Sequence, residues 1–301
     1  MVVDPLEIFA HENPIVSTVL LSLSGLSGFC INCFILYKVI WHKVFHGTFG
    51  WIWISRGVAY ASSSCMTMVF MGFGSEFFPN ILGVTGPLMI LMGWICCLFS
   101  NFLIALNRCL LITQPFTFKT VFTKPRTLFM ISVTWIASLL AIVGAVYFPC
   151  NHEEEVGSLF SLEPSLHCDY TLTVFTYGPM WIAIFMTFVI DFYSILTLNR
   201  MNKVRDQLSS HQLPPQFKRK VLRLCYMLAV QCIVNPLIML VVTIGDDADD
   251  PLFNFLSTVF LLSLDDSIDG LIVIGFNDEL RSLRNSRGRL GRMDSASQEP
   301  A

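Results

Sequence analysis

The chain consists of long apolar segments separated by short polar ones, and the third of these segments is the most continuous. No charged residue occurs between Glu76 and Arg108, and residues 84–112 are almost entirely apolar. An α-helix rises 1.5 Å per residue, and about 20 apolar residues cross the hydrocarbon core of a bilayer. The pattern therefore predicts a membrane-spanning helix that ends close to Arg108.

One face of this helix can be followed back from Arg108 in whole helical turns. It presents an amide that could bond to another helix inside a bundle, and it consists of Ala105, Asn101, Cys97, Trp94 and Ile90. A lipid-facing helix whose Arg108 merely reaches the headgroups would explain the same pattern. This segment alone leaves both interpretations open.

Six further segments of comparable length give seven predicted spans: residues 14–38, 48–71, 84–112, 126–147, 171–198, 221–244 and 252–276. Each is expected to be a helix, because a bilayer offers no water to satisfy the backbone. Trp51 and Trp53 at one end of span two are typical of an aromatic belt. The predicted fold class is an all-α membrane protein, a seven-transmembrane helix bundle.

The composition agrees with this prediction and excludes several classes of protein. Of 301 residues, 54% are hydrophobic and 14% are charged, with a mean hydropathy of +0.63, whereas soluble domains carry about 25% charged residues. No zinc-protease motif or phosphate-binding glycine loop occurs, and Cys30 and Cys33 lack partners for a zinc site. We expect no enzyme activity, since every histidine lies in a loop or at a span edge: His11, His42, His46, His152, His167 and His211. No cofactor and no nucleic-acid partner are expected either.

Basic and acidic residues are concentrated at opposite ends of the spans. All 19 Lys and Arg residues fall in the loops after spans one, three and five, in the tail, or at the adjoining span ends, where Arg56 and Arg108 are included. The opposite loops contain acids only: Glu76, Glu153, Glu154, Glu155, Glu163, Asp169, Asp246, Asp247, Asp249 and Asp250. Because Lys and Arg favour cytoplasmic loops, the N-terminus is predicted to be extracellular and the C-terminus cytoplasmic.

This topology divides the chain into a seven-transmembrane domain, residues 1–276, and a cytoplasmic tail, residues 277–301. The tail could begin with a short amphipathic helix on membrane lipids. On the outer side, Cys150 and Cys168 are placed to form a disulfide in an oxidising compartment. The bond would close the loop before span five and contribute roughly 3 kcal/mol, with two unpaired thiols as the alternative.

Several short motifs in this order resemble a known superfamily: Asn107-Arg108, Gln114-Pro115, Phe122, Trp135, Cys150 with Cys168, Asp191-Phe192, Asp269-Gly270 and Phe276-Asn277. The chain resembles G-protein-coupled receptors, and among them the nematode serpentine chemoreceptors, most closely class x (Srx). The resemblance implies a chemoreceptor of the plasma membrane, plausibly of a sensory cilium. It also implies a small-molecule ligand and a heterotrimeric G protein as partners.

Departures from the rhodopsin-like pattern shape the expected switch. Asn107 replaces the acid that usually precedes the arginine, so Arg108 needs another restraint, and the acids available by topology are Asp191 and Asp269. We expect the resting receptor to pair Arg108 with one of them. Activation would release it through movement of spans five and six about Pro236, a residue that kinks helices.

The same comparison restricts the ligand. Ile90 stands where amine receptors carry an aspartate, and Ser263 stands where opsins carry a lysine. With no Lys or Arg in the outer half of the bundle, a neutral or apolar ligand is expected. The residues expected to line its pocket are Ile90, Trp94, Cys97, Met239, Thr243 and Ser263.

Three aspartates lie within span seven: Asp265, Asp266 and Asp269. At about 2.5–3.5 kcal/mol each near the bilayer centre, exposure to lipid would cost roughly 7–10 kcal/mol in total. We expect them to face the bundle in an internal polar network with Asn32 and Asn101. That network could be a switch or a sodium site, or it could only fix the register of the helices.

Two other classes of protein stay open: a transporter or channel, and an intramembrane enzyme, which would need a nucleophile–base pair or a metal site. A transporter or channel for a small solute would be expected to show internal repeats or a line of polar residues through several spans, and only span seven is notably polar. The basic third inner loop, around residues 200–223, suits contact with a G protein. However, basic loops also orient membrane proteins that do not bind a G protein.

Overall fold

The computed structural model of the chain describes residues 13–45, 47–72, 82–147, 178–207, 215–246 and 250–281. These residues form helices and the turns between them, with no strand among them. Spans one to six are Pro14–Trp41, Gly47–Gly72, Leu82–Thr113, Lys124–Tyr147, Gly178–Gln207 and Pro215–Asp246. Span seven comprises Pro251–Phe255, a π-helical turn at Leu256–Phe260, and Leu261–Phe276. Short helices follow span three at Pro115–Val121 and span seven at Asp278–Arg281.

Four described helices are long and apolar enough, by length and composition alone, to cross a membrane: Ile15–Trp41, Leu88–Thr113, Lys124–Gly144 and Gly178–Arg200. The helices of spans two and seven carry charged residues, Arg56 in the former and three aspartates in the latter. Span six carries Pro236 in its interior and a shorter apolar stretch, Ala229–Val242. The helical class predicted from the sequence is confirmed for the described part of the chain.

The predicted span limits agree with the structure to within a few residues at most ends. Span one continues to Trp41 and span six begins at Pro215, because the helices extend past the apolar stretch by about one or two turns. The predicted start of span five lies outside the described residues, as do Cys150 and Cys168, so their disulfide stays a prediction. The side chains of Met239 and Thr243 are likewise outside the described part.

Neighbouring spans pack into a closed bundle in which span seven returns to span one. Span three is central, since it contacts spans two, four and five. A cluster of buried apolar side chains at one end joins spans one, two, three, six and seven, and includes Trp53 and Leu280. The prediction of Trp53 as a belt residue is wrong: it is 1% exposed, whereas Trp51 is 43% exposed. The reason is helix rotation, which turns Trp53 inward and Trp51 towards the lipid.

Spans one, two and seven approach one another closely. A Cβ on Gly25 would lie 2.8 Å from the backbone nitrogen of Met68, and one on Gly28 would lie 2.6 Å from the Ser64 hydroxyl. Two pairs of hydroxyls join spans one and seven, Ser24 with Ser263 at 2.6 Å and Ser27 with Ser267 at 2.7 Å. Small residues at these contacts bring helix backbones together, which is the usual basis of packing in a bilayer.

Candidate functional site

Arg56 is a buried cation inside the bundle. It lies nine residues after Gly47, the start of span two, hence about 13 Å along the helix axis. Its residue surface is 1% exposed. The charge pattern predicts Arg56 at the end of span two, and this position is wrong: Arg56 lies within the helix. An ionised side chain at this depth needs partners, because burying an isolated charge is prohibitive.

Three kinds of group surround the Arg56 guanidinium. Its Nη2 donates to Asp269 Oδ2 of span seven in a buried ion pair. Its Nε donates to Asn101 Oδ1 of span three at 2.6 Å. The guanidinium carbon lies 4.9 Å from the ring centroid of Trp53 and 4.7 Å from that of Tyr60, so two aromatic rings from its own helix face the cation.

Span six joins this group through an amide. Gln231 Nε2 donates to Asp269 Oδ1, so both oxygens of this carboxylate are hydrogen-bonded. Gln231 is 4% exposed and Asn101 is 7% exposed. The four side chains Arg56, Asn101, Gln231 and Asp269 therefore form one buried cluster that ties spans two, three, six and seven together. We call it the central network.

The central network changes two expectations from the sequence. Asp269 binds Arg56 and Gln231 in this structure, so it is not the restraint on Arg108, and only Asp191 is left from the two proposed acids. The guanidinium also lies where Asn101 and Asp269 approach each other. A sodium ion at those two residues would have to displace Arg56, which already supplies the positive charge.

Arg108 and its neighbours lie beyond Asn101, near the C-terminal end of span three. Asn107, Arg108 and Asp191 are 2%, 5% and 3% exposed, respectively. The Arg108 guanidinium carbon lies 5.5 Å from the ring centroid of Phe49 in span two. Spans three and five, which carry Arg108 and Asp191, pack directly against each other. Arg108 is thus held within the packed bundle rather than projecting towards headgroups.

The other two aspartates of span seven have separate partners. Asp266 Oδ2 accepts a hydrogen bond from the Ser64 hydroxyl at 2.6 Å, and its backbone oxygen accepts one from Asn32 Nδ2 at 3.2 Å. Asp265 Oδ2 accepts from the indole nitrogen of Trp94 at 3.1 Å. All three carboxylates of span seven face the bundle, and only Asp269 forms an ion pair with a described residue.

The residues expected to line a ligand pocket divide into two groups. Ile90 and Trp94 are partly exposed on the face of span three that is turned towards spans two and seven. Cys97 is fully buried, with its thiol 3.8 Å from the Arg56 backbone oxygen. Ser263 is bonded to Ser24 of span one. Among the described residues of the predicted set, Ile90, Trp94 and Ser263 are partly exposed and Cys97 is not.

Sequence reasoning missed Arg56, Gln231 and Ser64. A charged residue within an apolar segment is by itself an indication of an internal partner, and Arg56 stands between Ile54 and Val58 with no charge nearby in sequence. That indication could have identified it. Gln231 and Ser64 carry no comparable indication, because amides and hydroxyls occur on many helix faces.

Comparison with known proteins agrees with this architecture. The model of the family described as serpentine type 7TM GPCR chemoreceptor Srx matches residues 23–277, from within span one to the end of span seven. A search of curated protein sequences gives no match. The family is one of membrane-spanning receptors, not of enzymes. Because this family model matches most of the chain, the chain belongs to the Srx family of seven-transmembrane chemoreceptors.

Proposed function

We propose that this protein is a plasma-membrane chemoreceptor that binds a small neutral or apolar molecule and activates a heterotrimeric G protein. Its N-terminus is extracellular and its tail cytoplasmic, and sensory cilia are its proposed location. The observation that supports a switching function best is the central network, because Arg56, Asn101, Gln231 and Asp269 join four spans through few atoms. A small displacement of span six would separate Gln231 from Asp269.

The proposed ligand enters from the acid-rich side and contacts span three near Ile90 and Trp94. Trp94 connects this region to Asp265 in span seven, four residues before Asp269. Residues four apart lie on the same face of a helix. A ligand that shifts Trp94 would therefore act on the same face of span seven that carries the central network.

The proposed contact with the G protein involves Asn107 and Arg108. In the resting receptor Arg108 is restrained by Asp191 across the packed spans three and five, and rotation about Pro236 in span six releases it. Pro236 lacks a backbone N–H and so interrupts the hydrogen bonds of its helix. Pro236 lies five residues after Gln231, so the same movement would disturb both the central network and the inner end of the bundle.

Substitution of Arg108 tests this proposal. Arg108→Ala is expected to reduce guanine-nucleotide exchange per folded receptor at least ten-fold, because the variant lacks the group proposed to contact the G protein. Exchange is divided by the amount of folded receptor, since the loss of Arg108 also leaves the buried Asp191 without its proposed partner. Arg126→Ala is a matched control, because Arg126 is an exposed arginine at the start of span four. Exchange should be measured with purified G protein in nanodiscs.

A transporter or channel is the alternative function. The polar groups of the central network are bound to one another in the described structure, rather than arranged along an open path. Ligand-dependent solute flux in liposomes without any nucleotide exchange would favour the alternative. Full exchange by Arg108→Ala at normal expression would show that this residue does not serve the G protein.

A further inference from the structure

The turn between spans one and two leaves a cavity at the end of the bundle. Its volume is about 240 Å³, and both spans contribute to its lining. Span one ends at Trp41, span two begins at Gly47, and Lys43 and Phe45 from between them also line the cavity. None of the four residues of the central network lines this cavity.

The walls of the cavity are apolar and open towards the membrane. Val39 is 3% exposed and forms the floor, whereas Ile40 and Trp51 are 45% and 43% exposed at the rim. Trp41 at the adjacent helix end is 68% exposed. Exposed tryptophans at the ends of spans mark the depth of the bilayer interface. The rim therefore lies where headgroups give way to acyl chains.

Lys43 supplies the charge. It is exposed, and among the described residues that line the cavity it alone is charged. No Asp or Glu occurs between Glu12 and Glu76, so spans one and two offer no acid to neutralise it. None of the ion pairs seen among the described residues involves Lys43.

The local backbone holds this arrangement in place. Lys43 has a φ of 48° and Gly47 a φ of 66°, so the turn needs two left-handed residues. A Cβ on Gly50 would lie 2.4 Å from the Phe45 backbone oxygen, which shows how closely the turn approaches span two. Phe45 stacks on the buried Trp53 with 4.7 Å between ring centroids. Lys43 is thus presented from a packed turn beside the apolar wall.

We propose that this cavity binds one anionic phospholipid, with the phosphate at Lys43 and an acyl chain against Ile40, Trp51 and Ile54. Lys43 suits the phosphate and the apolar wall suits the acyl chain. The cavity rim lies at the depth of the bilayer where both parts of the lipid occur. A sterol would leave the lysine without an anion, and a soluble phosphate would leave the apolar wall uncovered. Basic sites between spans are known means of recognising anionic headgroups.

The test measures lipid-dependent stability of the full chain in a neutral detergent. Phosphatidylglycerol should raise the unfolding temperature in a saturable way, and phosphatidylcholine should have little effect. Lys43→Ala should weaken the apparent affinity about five-fold, which corresponds to the ~1 kcal/mol that a lysine contributes near anionic lipid. If the alanine variant folds poorly, Lys43→Gly replaces it, because glycine adopts the left-handed backbone without strain. Lys43→Gly should weaken the apparent affinity by the same factor.

Two further variants separate this site from general attraction. Lys119→Ala removes an exposed lysine from the short helix Pro115–Val121 and should leave the response unchanged. Ile40→Trp keeps Lys43 but fills the rim, and should weaken the response as strongly as the loss of the lysine. Equal losses in the Lys43 and Lys119 variants, an equal response to phosphatidylcholine, or the same shift with soluble glycerophosphate would overturn the proposal.

Discussion

At the scale of single residues, Arg56 illustrates how a charge is kept inside a membrane bundle. Asp269 neutralises it, Asn101 accepts from its Nε, and the rings of Trp53 and Tyr60 cover it. Each contact is modest alone, but removal of one charge leaves the other buried without compensation. For buried ion pairs that loss is about 3–5 kcal/mol, whereas replacing both partners by neutral groups is often tolerated.

We therefore expect Asp269→Asn and Arg56→Met to lower the unfolding temperature strongly, and the double variant to recover most of the loss. The single variants each leave a buried charge, while the double variant leaves none in this pair. Unfolding can be followed with a thiol-reactive dye in detergent, since Cys96 and Cys97 are 0% exposed and become reactive only when the bundle opens.

Asp266→Asn is the matched control within the same helix. Its side-chain oxygen can still accept from Ser64, and no ion pair with a described residue is lost. The expected decrease in unfolding temperature is smaller than that of Asp269→Asn. Equal decreases in the two variants, or a double variant no more stable than the singles, would contradict the assigned role of the Arg56–Asp269 pair.

At the scale of helices, the contact of span one with span two depends on the absence of a side chain at Gly25. An added Cβ would meet the Met68 nitrogen at 2.8 Å and the Ser64 backbone oxygen at 3.0 Å, and backbone atoms cannot rotate away. Span seven offers a contrast at Gly275, where an added Cβ meets nothing within 4 Å.

Gly25→Ala is accordingly expected to destabilise the protein by about 1–3 kcal/mol, the usual cost of overpacking. Gly275→Ala should be neutral or slightly stabilising, because alanine favours the helix by up to about 1 kcal/mol. Thermal unfolding of both variants in the same detergent makes the comparison. Similar effects at the two positions would mean that spans one and two are not packed as closely as described.

The sequence predicted the lengths of the helices better than their rotations. Length follows from bilayer thickness, so apolar runs identify spans directly. The rotation of a helix about its own axis is harder to predict, because lipid is as apolar as the packed core. The lipid-facing and core-facing sides of a span therefore differ little in composition. Trp53 and Arg56 were misplaced for this reason, while the face of span three with Trp94 and Asn101 could be identified from its one amide. The π-helical turn at Leu256–Phe260 has no comparable pattern.

At the scale of the whole molecule, the distribution of charge determines how the bundle inserts. An epitope placed after Met1 should be labelled on intact cells, and one after Ala301 only after permeabilisation, because the predicted outer loops contain no Lys or Arg. Immunofluorescence with and without detergent measures this directly. The reverse result would place Arg108 on the wrong side for a G protein.

The bundle as a whole divides into a more and a less tightly joined part. Spans one, two and seven share glycine contacts and four bonded serines, namely Ser24, Ser27, Ser263 and Ser267. Among the described side chains of span six, Gln231 alone belongs to the central network. Movement during activation is therefore expected in spans five and six, while span seven stays with span one.

The Arg56–Asp269 pair also constrains how the two positions evolve. A lineage that changes either residue alone passes through a receptor with a buried, uncompensated charge, and such a protein is removed by cellular quality control. The two positions should consequently be inherited as a unit, either both charged or both neutral. Ile90 and Trp94, which are proposed to contact the ligand, belong to no such ion pair. Receptors of this kind are therefore expected to vary at these two positions while the Arg56–Asp269 pair stays the same.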